Sequence, residues 1–450
     1  MLKIEKLAHL LYLRKFALHQ RGLLRGFGYE DFSLFALFSV LFHFQSRIKN
    51  NMVTETRKAV IRALLQLEVS GTAEGDFWGQ ELLGKERGLG QFLLFGVLRE
   101  MGRLDKIINK HSKKSMTEQE PVIRMILRLG AFELKFSRAP VHACIDQAVR
   151  LTKFHEQPFA AGFVNAVLRK VHNTEISDDK SVNVPKFIRE RVASRLSPNA
   201  FTQWSHWIGE PAPITIVTKD GTPPPFAARL CSWDFEQPLY VAEEEGNPST
   251  WPEYEDGTWW VMSPSSAMVV ELLARQIPQE ERSKLRVLDA CAAPGSKSLR
   301  LHQYGFSVLA CDRSKKRMRT FAANCERMGF DIPSHRVNWL GNNTVEDSFD
   351  IVLLDAPCSG LGVLRRHPEI RWRRTAQDIA VNAIIQKQLI DVLYPMVKEG
   401  GLFVYSVCSF FEEERGNFPE DSQCLVSWET PLESGEDAFF ITIHKKKEDE

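Results

Sequence analysis

From Leu285 onward the chain alternates short apolar runs with helical patterns, and this alternation restricts the fold more than any other sequence feature. Helical patterns lie near residues 314–328 and 376–397. The apolar runs have the length of strands and are LRVLDA (285–290), FSVLACD (306–312), FDIVLLD (349–355) and GLFVYSVC (401–408). Nearly continuous apolar strands between helices indicate a parallel sheet that is covered on both faces.

Polar features at the ends of the first two runs favour a nucleoside cofactor, because ligands of such sheets bind at the carboxyl ends of the strands. The loop DACAAPGSK (289–297) is made of small residues, which let the backbone approach a ligand closely. Asp312 ends the next run and has the spacing of a ribose-binding carboxylate. A tight turn and a helix cap would explain these residues equally well. Together they favour a nucleoside without distinguishing NAD from S-adenosylmethionine.

Cysteines follow the last two runs. DAPCSG (355–360) places Cys358 just beyond the third run, and YSVCS (405–409) places Cys408 at the end of the fourth. Packing explains a single buried thiol but not two thiols on one edge of a sheet. The other six cysteines are scattered, with no CxxC pair and no Cys/His cluster. We therefore expect no metal site.

The stretch RRHPEIRWRR (365–374) carries five arginines directly after the DAPCSG motif. A solvated surface is the common fate of such a run, but this position favours contact with the phosphates of a polymeric substrate. The whole chain has 58 Lys and Arg against 57 acidic residues, so a basic surface has to be local.

The residues in front of the sheet divide by pattern. Residues 52–172 have apolar positions at helical spacing and an excess of basic over acidic residues, which fits either solvated helical faces or nucleic-acid contact. Residues 173–185 are polar and aperiodic, as in a linker, and 186–280 indicate a small α/β unit. Residues 281–450 form the sheet domain.

Residues 1–51 form an N-terminal extension of uncertain status. Its apolar run FSLFALFSVLFHF (32–44) is too short to span a membrane. The run is either a buried helix or part of a segment outside the true coding start, because Met52 opens a more regular pattern. We favour the second interpretation.

At these residues the chain resembles the ribosomal RNA small subunit methyltransferase B family, within the RNA 5-methylcytosine methyltransferases. The matching motifs lie between about residues 255 and 443. They are DACAAPGSK, DAPCSG, YSVCS, KEGG (398–401), Glu413-Glu414 and DAFF (437–440). Residues 54–172 resemble a NusB-like RNA-binding domain in GVLRE (96–100), PVHACIDQAV (140–149) and GFVNAVLRK (162–170). The resemblance implies an all-α NusB-like bundle, a small α/β unit and a Rossmann-like α/β methyltransferase domain.

The resemblance implies that carbon 5 of a cytosine in small-subunit ribosomal RNA is methylated with S-adenosylmethionine. Cys408 would attack carbon 6 of the base, and Cys358 would assist the elimination that releases the product. Asp355 would contact the base, with Lys297 near the same site. A free thiol has a pKa of about 8.5, so such a site has to favour the thiolate.

The same resemblance assigns the binding residues. Asp312 would bind the ribose, Asn338 would lie near adenine and Asp355 at the methionine end. The full cofactor set is Cys291, Ala292, Ala293, Pro294, Gly295, Ser296, Lys297, Asp312, Asn338 and Asp355. The RNA-binding candidates are Arg365, Arg366, His367 and Arg371. We expect a cytoplasmic monomer whose partner is ribosomal RNA, without a membrane or a metal.

Five positions depart from the family pattern. Ser296 replaces a usual Gly, Asn338 a usual Asp, Met262-Ser263 a usual Gln-Asp, and Arg415 a usual Asn. These changes motivate an alternative, in which the chain is a catalytically weak RNA-binding or ribosome-assembly factor. An NAD-dependent oxidoreductase leaves the two strand-end cysteines unexplained.

Overall fold

The structure is a computed structural model that describes residues 53–70, Leu82 and 84–448, except residue 245 and residues 342–346. The extension 1–51 lies outside the described residues. The helices are α1 (Glu55–Ser70), α2 (Gly84–Asn109), α3 (Pro121–Phe136), α4 (Val141–Phe154), α5 (Ala161–His172), α6 (Lys186–Ala193), α7 (Pro198–Trp207), α8 (Pro264–Ala274), α9 (Ser296–Gln303), α10 (Lys315–Met328), α11 (Ile370–Arg373) and α12 (Ala376–Leu393). None of these helices is long and apolar enough to cross a membrane.

The strands form two sheets. They are β1 (Thr215–Thr218), β2 (Ala228–Leu230), β3 (Leu239–Ala242), β4 (Trp259–Val261), β5 (Arg286–Asp289), β6 (Ser307–Asp312), β7 (Ser334–Arg336), β8 (Phe349–Asp355), β9 (Val397–Val407), β10 (Ser422–Glu429) and β11 (Phe440–Lys446). The first sheet has the order β2-β3-β1-β4 and the second β10-β11-β9-β8-β5-β6-β7.

Helices α1 to α5 form the all-α region that the sequence predicts. α3 has an unbroken buried stretch from Met125 to Glu133. Glu133 receives the Arg57 guanidinium from α1, at 2.5 Å between Oε1 and Nη2. Asp105 of α2 receives both guanidinium arms of Arg128. Such paired hydrogen bonds fix the relative rotation of helices that apolar packing alone leaves adjustable.

The polar segment 173–185 is attached to α2 along part of its length. Asn183 is buried, and its Oδ1 accepts the backbone N–H of Arg103 at 2.9 Å. Its Nδ2 donates to Glu100 at 3.2 Å, and the Arg103 guanidinium donates to the Ser177 carbonyl at 2.6 Å. The polar composition of this segment therefore serves a hydrogen-bonded contact with α2.

The small antiparallel sheet has an aromatic core. Trp251, Trp259 and Tyr240 are buried together, and the Phe226 ring stands edge-on to both tryptophans at 5.4 Å. These rings account for two of the tryptophans that the sequence leaves without a role. Helix α8 follows this sheet and packs against α9 and β9 of the larger sheet domain, so we propose that the domain boundary lies before α8.

Strands β5 to β9 run parallel, and β10 and β11 close one edge antiparallel. Successive residues of β8 alternate between two cores, Ile351 and Leu353 on one face and Val352 and Leu354 on the other. Both faces are thus covered, as the sequence predicts for the parallel strands, and the two antiparallel strands were not part of that prediction. The carboxyl ends of β5, β8 and β9 lie side by side at the centre of one edge.

Candidate active site

The two strand-end cysteines meet. Asp355 at the end of β8 pairs with Ser406 of β9, and the parallel register carries Cys358 and Cys408 beyond the same edge of the sheet. Their Sγ atoms lie 3.1 Å apart, and both residues are partly exposed. Neither is in a disulfide. A thiol pair at this distance can share a proton.

Cys358 is a neutral thiol in this pair. Its pKa is raised well above that of an ordinary thiol, first by the hydrogen bond to Cys408 and then by burial. Cys358 therefore stays protonated, and its S–H can donate to the Cys408 sulfur.

Asp355 lies between the thiol pair and the first loop. Its Oδ2 accepts the Lys297 ammonium at 2.7 Å, and its Oδ1 accepts the Ser406 hydroxyl at 2.6 Å. Lys297 is buried near the start of α9, with its Nζ 5.4 Å from the centre of the Phe439 ring. The structure therefore places three of the predicted catalytic side chains, Asp355 and the two cysteines, on one strand edge and ties the fourth, Lys297, to Asp355.

The loop after β5 folds closely against the sheet. The N–H of Ala292 donates to the Cys311 carbonyl at 2.8 Å, and Cys291 before it is partly buried. Burial raises the pKa of the Cys291 thiol, which keeps it neutral. The Ala293–Pro294 peptide bond is cis. The loop thus presents backbone and small side chains at the edge.

Gly295 ends this loop, and its place requires a glycine. Its φ is +120°, and an added Cβ would lie 2.9 Å from the Phe321 ring. Ser296 is the first residue of α9 and has no such φ. Its substitution for a usual glycine therefore costs no backbone strain.

Asp289 tests whether a ligand fits this edge. It is fully buried at the end of β5, where its Oδ2 accepts the Ser298 hydroxyl at 2.6 Å. Its Oδ1 has no hydrogen-bond partner, which is costly for a buried carboxylate. Burial raises its pKa to about 7. The unpartnered oxygen has no solvent access, whereas the backbone and small side chains of the loop allow the close approach that a ligand such as S-adenosylmethionine needs.

The ribose and adenine candidates lie farther along the edge. Asp312 is buried at the end of β6, and its Oδ1 accepts the N–H of Ser314 at 2.8 Å. Its Oδ2 is 3.4 Å from the Arg317 guanidinium, which also donates to the Ala293 carbonyl. Asn338 is exposed and follows Val337, whose N–H donates to the Asp312 carbonyl at 3.1 Å. Asp312 and Asn338 are thus neighbours, with Arg317 over the carboxylate.

The arginines of the basic stretch 365–374 mainly contact other parts of the protein. The sequence had suggested that they form an RNA-binding surface. Arg371 is fully buried, and its Nη2 donates to the carbonyls of Ile208 and Leu364 at 2.7 and 3.1 Å. Burial lowers its pKa to about 9. A guanidinium without solvent access cannot contact a phosphate, so the prediction that Arg371 binds RNA is wrong.

Two of the neighbouring RNA-binding candidates also donate hydrogen bonds to protein groups. Arg365 donates to the carbonyls of Pro211 and Gly435. Arg366 pairs with buried Asp437 at 2.6 Å. His367 is exposed beside Glu369 and remains accessible.

Glu414 is a residue of the site to which the sequence analysis assigned no role, although the sequence contains a signal for it. Each cysteine is followed directly by a serine, Ser359 or Ser409, and both hydroxyls donate to Glu414. The CS repeat in DAPCSG and YSVCS is the pattern that could have pointed to a shared acceptor. Among the described residues, no group of three or more His, Cys, Asp or Glu side chains could hold a metal ion.

The comparisons give the class of the protein, an S-adenosylmethionine-dependent RNA methyltransferase, and the sheet with its small-residue loop after β5 and its strand-end thiol pair agrees with this class. Residues 276–420 match the family described as 16S rRNA methyltransferase RsmB/F, and residues 54–173 match the NusB family. The region that carries the sheet and the thiol pair is thus similar to that methyltransferase family, and the helical region in front of it is similar to the NusB family.

Similar proteins agree with this assignment. Ribosomal RNA small subunit methyltransferase B of Citrobacter koseri is 29% identical over 367 residues, which cover 74% of this chain and 81% of the relative. The protein of the same name from Salmonella heidelberg is 28% identical over 368 residues, with the same coverage. The crystal structure of PH0851 aligns with a TM-score of 0.67 and 18% identity, over 86% of this chain and 98% of that one, which shows a shared fold.

Proposed function

We propose that this methyltransferase modifies carbon 5 of a cytosine in small-subunit ribosomal RNA through a covalent adduct between Cys408 and carbon 6. The observation that carries the proposal is the 3.1 Å separation of Cys358 and Cys408 Sγ at the ends of β8 and β9. A single thiol would suffice as a nucleophile, whereas a second one beside it has a use when the first must also leave.

Carbon 5 of cytosine is too weak a nucleophile to take a methyl group unaided. Addition of the Cys408 thiolate forms an S–C6 bond and makes carbon 5 the reactive end of an enamine. After carbon 5 has taken the methyl group, its proton passes to a base or a water relay. The S–C6 bond then breaks, and its electron pair returns to Cys408.

The Cys358 thiol assists both the first and the last step of this reaction. Because the pKa of Cys358 is raised, its S–H is available to stabilise a Cys408 thiolate before attack and after elimination. Asp355, held by Lys297 and Ser406, is positioned to accept from the exocyclic amine of the base and to stabilise a protonated adduct.

When bound, S-adenosylmethionine supplies the electrophilic methyl group. The residues proposed to hold it are the loop 291–297, Asp312 on the ribose, Asn338 near adenine and Asp355 at the methionine end. Asp312 can accept ribose hydroxyls once Arg317 turns away from it. Asn338 can donate and accept, so an amide in place of a carboxylate keeps a partner for adenine.

The target cytosine has to be unpaired or flipped out, because a stacked base does not expose carbon 6 to a thiol. We propose that the NusB-like domain and accessible residues such as His367 hold the surrounding RNA.

Bisulfite sequencing of ribosomal RNA from cells with and without the gene tests the reaction. We expect one or a few small-subunit cytosines to lose protection when the gene is deleted and to regain it with the wild-type gene. Protection that is unchanged at every cytosine contradicts the proposal.

The two cysteines should fail differently. Cys408→Ser should give neither methylation nor an adduct, because a serine hydroxyl is too weakly acidic to replace the thiolate. Cys358→Ser should allow attack and transfer but slow elimination, which leaves protein attached to RNA. Denaturing electrophoresis would show this species as a retarded band. A band with Cys408→Ser and none with Cys358→Ser means that the roles are reversed, and full methylation by both variants removes the covalent mechanism.

A further inference from the structure

One buried carboxylate contacts both cysteine-bearing loops. Ser359 follows Cys358, and its N–H and hydroxyl donate to Glu414 Oε1 and Oε2, each at 2.6 Å. Ser409 follows Cys408, and its hydroxyl donates to the same Oε2 at 2.5 Å. Each catalytic thiol is thus one residue away from a hydrogen bond to Glu414.

Glu414 is itself held firmly. Its side chain is 0% exposed, and its backbone carbonyl accepts the Tyr405 hydroxyl at 2.7 Å. Gln386 of α12 donates to Oε1 at 3.4 Å. Among the described ion pairs, none involves Glu414, so hydrogen-bond donors alone compensate for its lost hydration. A buried carboxylate of this kind is costly unless its donors are fixed in place.

We propose that Glu414 is the positioning residue that sets the separation and orientation of Cys358 and Cys408. This proposal rests on the proposed function, in which both thiols act on one base. Without the shared acceptor, the loops after β8 and β9 keep the hydrogen bond from the Gly362 N–H to the Cys408 carbonyl, at 2.9 Å, but lose the acceptor that holds Ser359 and Ser409 together, and the thiols separate. Glu414 touches neither substrate nor cofactor in this role and acts through Ser359 and Ser409.

Thiol separation can be measured without any methylation. Phenylarsine oxide forms two As–S bonds with a close pair of thiols and releases water, so its retention on the full chain reports their proximity. The wild-type protein should retain one equivalent that depends on Cys358 and Cys408. Glu414→Ala should lose most of it, and mass spectrometry of the intact protein gives the stoichiometry.

Matched variants separate positioning from general damage. Glu412→Ala, an exposed residue two positions earlier, should retain the arsenical like the wild type. Ser409→Ala removes a single donor and serves if Glu414→Ala does not fold; it should weaken retention in a folded protein. Glu414→Gln keeps hydrogen-bonding atoms in place, with its amide donating to the two hydroxyls, and should restore retention. Undiminished retention by folded Glu414→Ala or Ser409→Ala overturns the proposal.

The kinetic consequence is a fall in kcat with little change in the KM for RNA. Misplacement of a reacting group by about 1 Å costs on the order of 100-fold, and we expect this loss for Glu414→Ala. Glu414→Gln should recover most of the rate, because its side-chain carbonyl and amide can keep hydrogen bonds to Ser359 and Ser409. If Glu414→Ala loses arsenical retention while the wild-type protein methylates no cytosine, the positioning role stands and the proposed function is rejected. Equal rates for wild type and Glu414→Ala reject the positioning role.

Discussion

Single residues in this protein show that a charged sequence pattern typical of a surface can be buried in the fold. Arg371 belongs to an arginine-rich run, yet its guanidinium replaces water for the carbonyls at the end of α7 and before α11. Its Nε and Nη1 find no partner in the described structure. The sequence pattern records only the charge, whereas the fold decides whether that charge meets solvent.

Arg371→Met should therefore lower the stability of the fold. It leaves the carbonyls of Ile208 and Leu364 without donors, and we expect a loss of about 2–4 kcal/mol in the free energy of unfolding. His367→Ala, at an exposed position in the same run, should change it by less than about 0.5 kcal/mol. Urea denaturation of the full chain measures both. Equal, small effects would mean that Arg371 is accessible after all.

Asp289 predicts a pH dependence of stability in the protein without cofactor. Its pKa is raised to about 7 in the folded chain, above the 3.8 of an unfolded aspartate, so the folded state binds its proton more tightly. This contribution to stability is fully present below about pH 4 and is lost as the pH rises to about 7. The whole change is on the order of 4 kcal/mol.

Asp289→Asn should remove that dependence while keeping an acceptor for Ser298, so that the free energy of unfolding is flatter between pH 4 and 7. Asp331→Asn, at an exposed carboxylate, should reproduce the wild-type profile. Denaturant titrations at several pH values provide the measurement. A wild-type profile in Asp289→Asn would show that another group carries the titration.

At the scale of elements, α2 and the segment 177–183 form a contact that depends on one glycine. A Cβ on Gly102 would lie 1.9 Å from the Val182 carbonyl oxygen, a backbone atom that cannot move alone. Gly162 of α5 has open space at the corresponding position.

Gly102→Ala should consequently push the segment off α2 and destabilise the protein by more than about 1 kcal/mol, despite the better helix propensity of alanine. Gly162→Ala should be neutral or stabilising by up to about 1 kcal/mol. Thermal unfolding of the two variants gives opposite shifts in Tm. A stabilised Gly102→Ala would mean that the segment does not dock on α2.

The elements also show what the sequence could predict. Strands β5, β6, β8 and β9 are buried on both faces, and their nearly continuous apolar residues therefore predicted them from the sequence. β10 lies at the edge and has no buried residue, and β7 is three exposed residues, so neither has a periodicity that distinguishes it from a loop. Strand β11 is buried, but the sequence analysis identified it only as part of a family motif.

The site divides in the same way. Cys358, Cys408 and Asp355 could be placed together because parallel strands end at one edge. The Glu414 contacts could not, because they depend on how a turn after β9 folds back under both loops. The fate of the arginines likewise depends on long-range packing, which local composition does not encode.

At the scale of the whole molecule, the arginine-rich stretch 365–374 joins the helical region to the catalytic domain. Trp372 Nε1 donates to the Leu98 carbonyl of α2 at 2.6 Å, and Arg99 donates to the Arg365 carbonyl at 3.3 Å. Arg374 donates to the carbonyl of Ser359, next to Cys358, at 2.8 Å. The NusB-like domain is thus a few residues away from the thiol site. RNA held by this domain is therefore held close to the chemistry.

Separation of the domains tests how RNA binding is distributed between them. A fragment of residues 53–184 retains Asn183 and its contacts with α2, whereas a fragment that ends at 172 leaves Glu100 and the Arg103 N–H without this partner. We expect the longer fragment to have the higher Tm. Because residues 52–172 carry a basic excess, it should also bind single-stranded RNA weakly and mainly through phosphates.

Fluorescence anisotropy across a range of salt concentrations measures that contact. The logarithm of the association constant should fall linearly with the logarithm of salt concentration, by about 0.7 per phosphate neutralised on a single strand. The full chain should bind more tightly with a steeper slope, because its catalytic domain adds contacts. An affinity of the fragment that does not change with salt excludes a phosphate-driven role for the helical domain. Equal slopes for fragment and full chain would place all the phosphate contacts in the helical domain and none in the catalytic one.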